Sequence, residues 1–483
     1  MTHRFKIRAL AALLCAGLLL SGCGKDKVKT ARLDPNNPVT VTVWHYYNGT
    51  QQEAFDQLVT EFNHTEGLDQ GIIVEASSLG SVVDLQTSVL DSANKKVGAA
   101  EMPNIFAAYA DTAYAVDGLG LAADLNPYFT KDELNEYVDG YIEEGRFSTD
   151  DSLKIFPIAK STEIFMLNKT DWDAFAKATD AELSQCETIE GVTELAEQYY
   201  NWTDSQTEKP DDGKAFFGRD AIANYFLIGA EQLGMEIFAQ KDGKPALHFD
   251  EDIVRKLWDN YYVPFVRGYF AANGRFRSDD VKTGKVISFV GSSSGATFFP
   301  SSVIIDDDHQ YPIEVEVLPA PQFEGGQPTA VQQGAGMVVT QAEESEEYAS
   351  VLFLKWFTDK QRNSKFSIES GYLPVKKEAN DIEYIREQGA TSDGDIVDRI
   401  VSVAIDTVNG NKLYTPKAFA NGTEARNVLE YAITDAAAAD AAEVQKLVDA
   451  GTPRAQAAAR FTTDERFEEW YQATKTELEA LVQ

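Results

Sequence analysis

Gly291, Ser292, Ser293, Ser294 and Gly295 fit the G-x-S-x-G spacing that presents a nucleophilic serine on a sharp turn between a strand and a helix. The apolar stretch Val286 to Val290 precedes them. Asp306 to Asp308 and His309 follow in the acid-then-histidine order that would activate Ser293 in a serine hydrolase. Two features oppose that chemistry. Pro300 arrives where the motif needs a sustained helix, and the acid and the histidine are sequence neighbours rather than residues of separate loops. The five histidines show no H-E-x-x-H or comparable spacing, so no metal site and no cofactor are expected. Another group of residues suits binding rather than turnover. Trp44, Tyr46, Tyr47 and Asn48 set aromatic faces beside an amide, a combination that fits sugar rings and their hydroxyls. Trp44 equally completes a buried strand, which leaves Tyr47 and Asn48 as the stronger candidates.

Those residues need a scaffold. Val39, Val41 and Val43 alternate with Thr40 and Thr42, a strand pattern, and Phe55, Leu58, Val59 and Phe62 then recur at helical spacing. Further strands are expected at Ile72 to Ala76 and Asn104 to Ala108, with a helix over Val83 to Lys96 between them. This alternation predicts an α/β unit with a mostly parallel sheet. Beyond Pro157 helices dominate, at Val192 to Tyr200, Ala221 to Leu233 and Ile253 to Val266, and strands return at Val286 to Val290 and Val315 to Leu318. Glu343 to Phe357 reads as a helix with acids in its first turns, suiting the positive end of the dipole, and a buried face of Tyr348, Val351, Leu352 and Trp356. Ala436 to Ala442 reads as helix, and Thr452 with Pro453 as the N-cap and first residue of another.

Composition sets outer bounds. A chain of 483 residues holds about three average domains or two large lobes, and 43% hydrophobic residues allow a substantial core. The formal charge of −34 repels nucleic acid and anionic headgroups. At the N-terminus, Arg4, Lys6 and Arg8 precede an uncharged apolar run from Ala9 to Leu20, too short to span a bilayer and suited to a signal peptide. Leu20, Ser21, Gly22 and Cys23 resemble the lipobox of bacterial lipoproteins, which implies acylation of Cys23 and stable anchoring on the outer face of the cell membrane. Loss of residues 1–22 removes three basic residues and no acids, moving the charge to −37. Cys15 then leaves with the leader and Cys23 carries lipid, so Cys186 has no partner for an intramolecular disulfide. Gly24 to Pro38 lacks periodicity and reads as a tether reaching at most about 50 Å.

Four ordered segments resemble the family 1 extracellular solute-binding proteins of ABC importers. They are VTVTVWHYYNG (39–49), MPNIFAAYADTAYAVDGLGLAADL (102–125), IFPIAKSTEIFMLNK (155–169) and the stretch from Gln332 to Val375. The resemblance implies a periplasmic-binding-protein-like fold of type II, two α/β lobes joined by crossing segments with the solute held between them. Residues 1–22 would be the signal peptide and 23–38 the lipidated tether. Lobe one would comprise 39–154 plus 319–369, and lobe two 155–318 plus 370–483. The crossings would fall near Ile155 to Pro157, Val317 to Pro321 and Ser370 to Leu373. It also implies a monomeric binding protein, not an enzyme, that hands its solute to membrane permease subunits. A ligand sensor feeding a receptor would use the same fold.

Within that family the chain is most similar to the sn-glycerol-3-phosphate-binding proteins. Ser161, Ser293, Gly334, Tyr372 and Arg426 match their ligand-contacting positions, and together supply a guanidinium fork, hydroxyls and a close backbone N–H. Each also has an ordinary role: the serines in turns, Tyr372 as half-buried core, Arg426 as a partner for Glu424 or Glu430. Two acids of the relatives are missing. One falls at Ala110, where the adjacent Asp111 could substitute, and the other at Asn48. Both would hold polyol hydroxyls, so the altered polyol end and the aromatic first loop favour a carbohydrate over a phosphoester.

Overall fold

The computed structural model describes residues 28–148, 150–241, 244–388 and 395–482. The apolar leader, the Leu20 to Cys23 motif and the first residues of the expected tether lie outside them. The chain builds β1 (Val39–His45), α1 (Gly49–His64), β2 (Ile72–Ser78), α2 (Val82–Ala93), β3 (Ile105–Ala108), α3 (Ala110–Asp117) and α4 (Asp139–Glu144). It continues through β4 (Glu163–Asn168), α5 (Ile189–Asp204), β5 (Phe217–Arg219), α6 (Ile222–Gln232), β6 (Ser288–Ser292) and β7 (Val315–Pro319). After β8 (Thr329–Val331) and β9 (Gly336–Val339) come α7 (Glu344–Phe357), α8 (Lys360–Ser370) and α9 (Ile396–Gly410). Last are β10 (Lys412–Tyr414), α10 (Gly422–Asp449) and α11 (Asp464–Leu481).

Two four-stranded sheets organise these elements. The first has the order β9-β3-β1-β2, with β1 parallel to both β2 and β3 and only β9 antiparallel. The second has the order β7-β4-β6-β5, in which β4 runs antiparallel to both neighbours and only β5 and β6 are parallel. Every residue of β4 is buried, as a strand covered on both faces requires. Ile164 and Met166 face a core continuous with the first sheet, and Phe165 and Leu167 face a second core shared with α5, α6 and α10. Cys186 sits in that second core, 1% exposed, and burial pushes its thiol up to about 12.

Several expectations shift. The expected helix over Ile253 to Val266 breaks into Glu251–Asp259 and Tyr262–Val266, because the ring of Pro264 would meet the carbonyl four residues earlier. The later helix begins at Arg454, so Pro453 rather than Thr452 occupies the N-cap. In α7 the buried set is wider than expected and centred elsewhere: Ala349, Val351, Phe353, Leu354, Trp356 and Phe357 are buried, whereas Tyr348 and Leu352 are half-buried. The helix is covered by α1 as well as by the sheet, and Phe353 and Trp356 both stand 5.2 Å from the Phe62 ring. The second crossing also comes later than Val317 to Pro321. Phe323 and Val331 belong to the second core and Gln322 pairs with Thr188, so the chain stays with the second core until about Gln332.

The tether is docked from residue 28 onward rather than free up to Pro38. The Lys29 N–H donates to Pro127 O at 2.6 Å, and its ammonium lies 3.3 Å from Glu347 Oε2 and 4.9 Å from the centre of the Tyr128 ring. Leu33 packs on the first core, and at Gly71 a Cβ would stand 2.5 Å from the Asp34 carbonyl oxygen. Glu347, 8% exposed, accepts from Tyr128 Oη at 2.5 Å and from the Ala342 N–H at 3.2 Å. Glu347→Ala should therefore destabilise the fold by about 1–3 kcal/mol in urea denaturation, since it strands a buried hydroxyl. It should also raise hydrogen exchange over residues 28–34; unchanged exchange there would show that other contacts hold the strap.

Candidate ligand-binding cleft

Where the chain passes between the sheets, the crossing segments bond to one another. Phe156 pairs with Met337, Lys160 with Leu373 and Ser161 with Gln333. The Ser161 and Gln333 backbones exchange N–H···O bonds of 3.0 and 2.8 Å. Gly334 has φ +95°, and a Cβ there would lie 2.9 Å from Ala159 O, so both its conformation and its surroundings demand glycine. Its carbonyl accepts from Lys160 Nζ at 2.7 Å, and the same ammonium, in a side chain 1% exposed, pairs with Glu144 of α4. The end of β6 meets this junction. Ser292 Oγ donates to Ser161 Oγ at 3.1 Å and lies 2.9 Å from Ser294 Oγ, and at Gly371, next to Tyr372, a Cβ would stand 3.0 Å from Ser294 O. Ser161, Gly334 and Tyr372 thus converge.

Ser293 is differently placed. It is 1% exposed, its N–H donates to Thr162 O at 2.8 Å, and its hydroxyl accepts from the Thr162 N–H at 3.3 Å. Its hydroxyl serves the junction's backbone, and the turn after it is a short 3-10 helix rather than the sustained helix of a nucleophile elbow. His309 and Asp306 bond each other at 2.7 Å on an exposed hairpin, and no hydrogen bond among the described residues joins them to Ser293.

The first loop is also rearranged relative to expectation. The alternation of β1 continues past Val43, so His45 and Tyr47 point into the core and Tyr46 points to the other side. Tyr47 is 1% exposed, its ring centre 5.4 Å from Phe55, 5.6 Å from Phe366 and 6.2 Å from Tyr372. Tyr46, half-buried, brings its hydroxyl 3.4 Å from that of Tyr372, and Tyr109 remains 40% exposed just before α3. Asn48 is exposed as the N-cap of α1, its amide donating to Gly80 O at 3.4 Å.

Opposite these tyrosines stands a chain of charged and amide groups. Arg426 Nη2 donates to Asn224 Oδ1, Asn224 Nδ2 donates to Glu163 Oε1 at 2.8 Å, and Glu163 pairs with Arg219. Asn224, Glu163 and Arg219 are buried, while Arg426 is half-buried. Asp111 reaches across from α3 to the start of α10. Its carboxylate packs against the start of that helix: at Gly422 a Cβ would stand 2.2 Å from Asp111 Oδ1. Burial dominates this carboxyl and pushes it from 3.8 up to about 6, although Arg426 acts in the opposite sense through its charge. The sequence had marked Asp111, Ser161, Gly334, Tyr372 and Arg426. Tyr46 was named with the aromatic first loop but passed over for Tyr47, although the period-2 pattern of β1 was a usable signal; Tyr109, Glu144, Asn224 and Glu163 were missed, and for them no local signal existed.

A model of bacterial extracellular solute-binding proteins matches residues 57–392. The chain belongs to this family. The match begins after β1, takes in β2 to β9 and the crossings, and ends before α10, so Arg426 lies beyond it. Solved solute-binding proteins share the fold at low identity. The cyclic α-maltosyl-1,6-maltose binding protein of Arthrobacter globiformis has a TM-score of 0.64 at 19% identity, over 92% of this chain and 99% of that one. UgpB of Mycobacterium tuberculosis, in complex with glycerophosphocholine, has a TM-score of 0.66 at 16% identity, over 92% and 100%. The GacH receptor of Streptomyces glaucescens GLA.O, solved with acarbose, has a TM-score of 0.63 at 13% identity, over 91% and 98%. No curated protein matches the chain by sequence.

The Asp111 contact carries a pH signature. An acid raised by burial holds its proton more tightly in the folded protein, so the contact weakens as pH rises from 3.8 through about 6 and the penalty is complete above that. Asp111→Asn should therefore raise the melting temperature at pH 8, with a gain that narrows below pH 6 and is nearly gone by about pH 4. A gain independent of pH would show that the carboxyl ionises normally.

Proposed function

We propose that this extracellular solute-binding protein captures a neutral, hydroxyl-rich solute, a carbohydrate, between its two lobes and delivers it to the permease of an ABC importer. The observation that carries the reading is the company Arg426 keeps. Its guanidinium engages an amide, Asn224, and faces the carboxylate of Asp111, so little positive charge is left for a phosphoester dianion. Around them stand the groups that suit sugar hydroxyls and ring faces: Tyr46, Tyr109, Tyr372, Ser161, Ser292 and Ser294. Asp111, Ser161, Gly334, Tyr372 and Arg426 remain the proposed ligand-binding residues from the sequence. Tyr46 takes the role expected of Tyr47, and Ser292 and Ser294 that of Ser293, while Asn48 sits at the rim. Closure would work as in periplasmic binding proteins generally, with the solute binding the closed form more tightly than the open one. Capture without turnover is supported by the family and by the engagement of Ser293 with Thr162.

A glycerophosphodiester is the second reading, favoured by one observation. Tyr109 lies within electrostatic reach of both Arg426 and Glu144, so a phosphate and a cationic head could be met at once. Calorimetry on Tyr109→Ala and Arg426→Lys separates the two. For a neutral sugar, Tyr109→Ala should weaken binding at least tenfold and Arg426→Lys only mildly. For a phosphodiester, Arg426→Lys should also cost more than tenfold, because an ammonium cannot reproduce the planar fork.

The proposal includes a monomer anchored at the outer face of a bacterial membrane through lipid on Cys23, supported by the Leu20 to Cys23 motif. Cys23→Ala should release the protein into the extracytoplasmic fluid. Retention on membranes after a high-salt wash would count against acylation at Cys23.

A further inference from the structure

Parallel strands place their starts at one end of a sheet and their finishes at the other. In the first sheet β1 and β3 finish toward Tyr46 and Tyr109 of the cleft, and Val39 of β1 pairs with Ile72 of β2 at the opposite end. The seven residues of β1 put about 20 Å between the two ends. Helices α1, α2 and α3 each follow the finish of a strand, so the chain after each helix turns at the end away from the cleft. Antiparallel β9 also finishes there, with Val339 beside Ile105, which brings the start of α7 to the same end. Three of these turns carry an apolar tip. Leu68, 65% exposed, lies in the short helix Glu66–Gln70 after α1. Val97, fully exposed, tops a turn after α2 that the Ala99 N–H closes on Lys96 O at 3.0 Å, with Gly98 at φ +86°. Leu119, 49% exposed, stands between Gly118 and Gly120 after α3. One exposed apolar side chain is ordinary. Turns favour glycine and polar residues, however, and here the tips of three successive connections share one end.

The strap docks at that same end. Lys29 is held by Pro127 and Glu347, the Asp34 carbonyl covers Gly71 beside the helix of Leu68, and the Val39 N–H donates to Gly71 O at 2.9 Å. Docking shortens the leash. From Cys23 to Val28 the chain reaches at most about 18 Å, against about 50 Å if all of it up to Pro38 were free. Acids at this end, Glu66, Asp69 and Glu344 among them, give no attraction to anionic headgroups. The apolar tips therefore depend on the short leash, which keeps them at high effective concentration beside lipid. We propose that the end of the first sheet away from the cleft is a membrane-contacting face: Leu68, Val97 and Leu119 enter the headgroup boundary, and the cleft is held about 20 Å above it. The proposal rests on the acylation of Cys23.

Photo-crosslinking of the membrane-extracted chain tests it, with the protein reconstituted alone in vesicles of phosphatidylethanolamine and phosphatidylglycerol. p-Benzoylphenylalanine replaces Leu68, Val97 or Leu119 in turn, or Val83 as the control, which is 70% exposed at the cleft end of α2. Intact-mass measurement first reads the lipid on Cys23, and its absence would overturn both the anchor and this face. With the lipid present, phospholipid adducts at the three tips should exceed those at Val83 by at least about fivefold. Equal adducts at all four positions would overturn the face and leave the anchor standing. Adducts to a second copy of the chain in place of phospholipid would overturn it as well. Inserting about twenty glycine and serine residues between Lys27 and Val28 lengthens the leash without touching the fold, and should lower the phospholipid adducts at the tips at least about threefold. No decrease would refute the short leash as the cause of the contact.

Discussion

Chain that leaves a sheet and crosses to another carries backbone N–H and C=O groups that neither sheet can satisfy, and at a buried junction each unpaired group is unfavourable. Here the crossing segments satisfy one another. Phe156 with Met337, Ser161 with Gln333 and Lys160 with Leu373 form a narrow set of bridges between the sheets. Lys160 is drawn into the junction by the same need, its ammonium neutralised by Glu144 and capped by the Gly334 carbonyl. Gly334 itself exists because that backbone must turn left-handed against Ala159. Any solute-binding group attached here, Ser161 or Tyr372 among them, inherits its position from these bonds rather than from its own sequence neighbours.

The second sheet contributes a different kind of order. Glu163 and Arg219 are 4% and 8% exposed, and a buried pair of this sort gives little net stability although loss of either partner costs about 3–5 kcal/mol. Its value lies in direction. Glu163 fixes Asn224, and Asn224 fixes the Arg426 guanidinium, which faces the Asp111 carboxylate. Ala221, between Arg219 and Asn224, has φ +51°, a left-handed conformation that costs a non-glycine residue about 1–3 kcal/mol. Strain at the turn that aims this network is where such strain tends to be retained.

Much of the fold was legible because it depends on local periodicity. The β1 to β3 alternation, the acidic start of α7 and the alanine-rich α10 all follow from patterns within a dozen residues. The second crossing was misjudged because Gln322 and Phe323 are held by Thr188 and the second core, partners far away in sequence. The cleft was legible only in part, for the same reason. Arg426 and Asn224 are 202 positions apart, and the tight fit of Asp111 against Gly422 is a property of two helices far apart in the chain. The core-side placement of Tyr47 was legible from the sequence. Alternation from Val39 through Val43 already assigns it to the core side, and the rule holds beyond the strand because the hydrophobic face continues into the aromatic cluster around Phe55 and Phe366.

Cys186 adds a practical dimension. Only the thiolate attacks maleimides and similar reagents, and this thiol is both shielded in the second core and held in its protonated form at neutral pH. In a version of the chain starting after Cys23 it is the sole cysteine by sequence. A cysteine introduced on the rim of the cleft would then be the one site a dye can reach, with no native residue removed. An environment-sensitive fluorophore there would report opening and closing in real time, making the protein an optical sensor for its own solute.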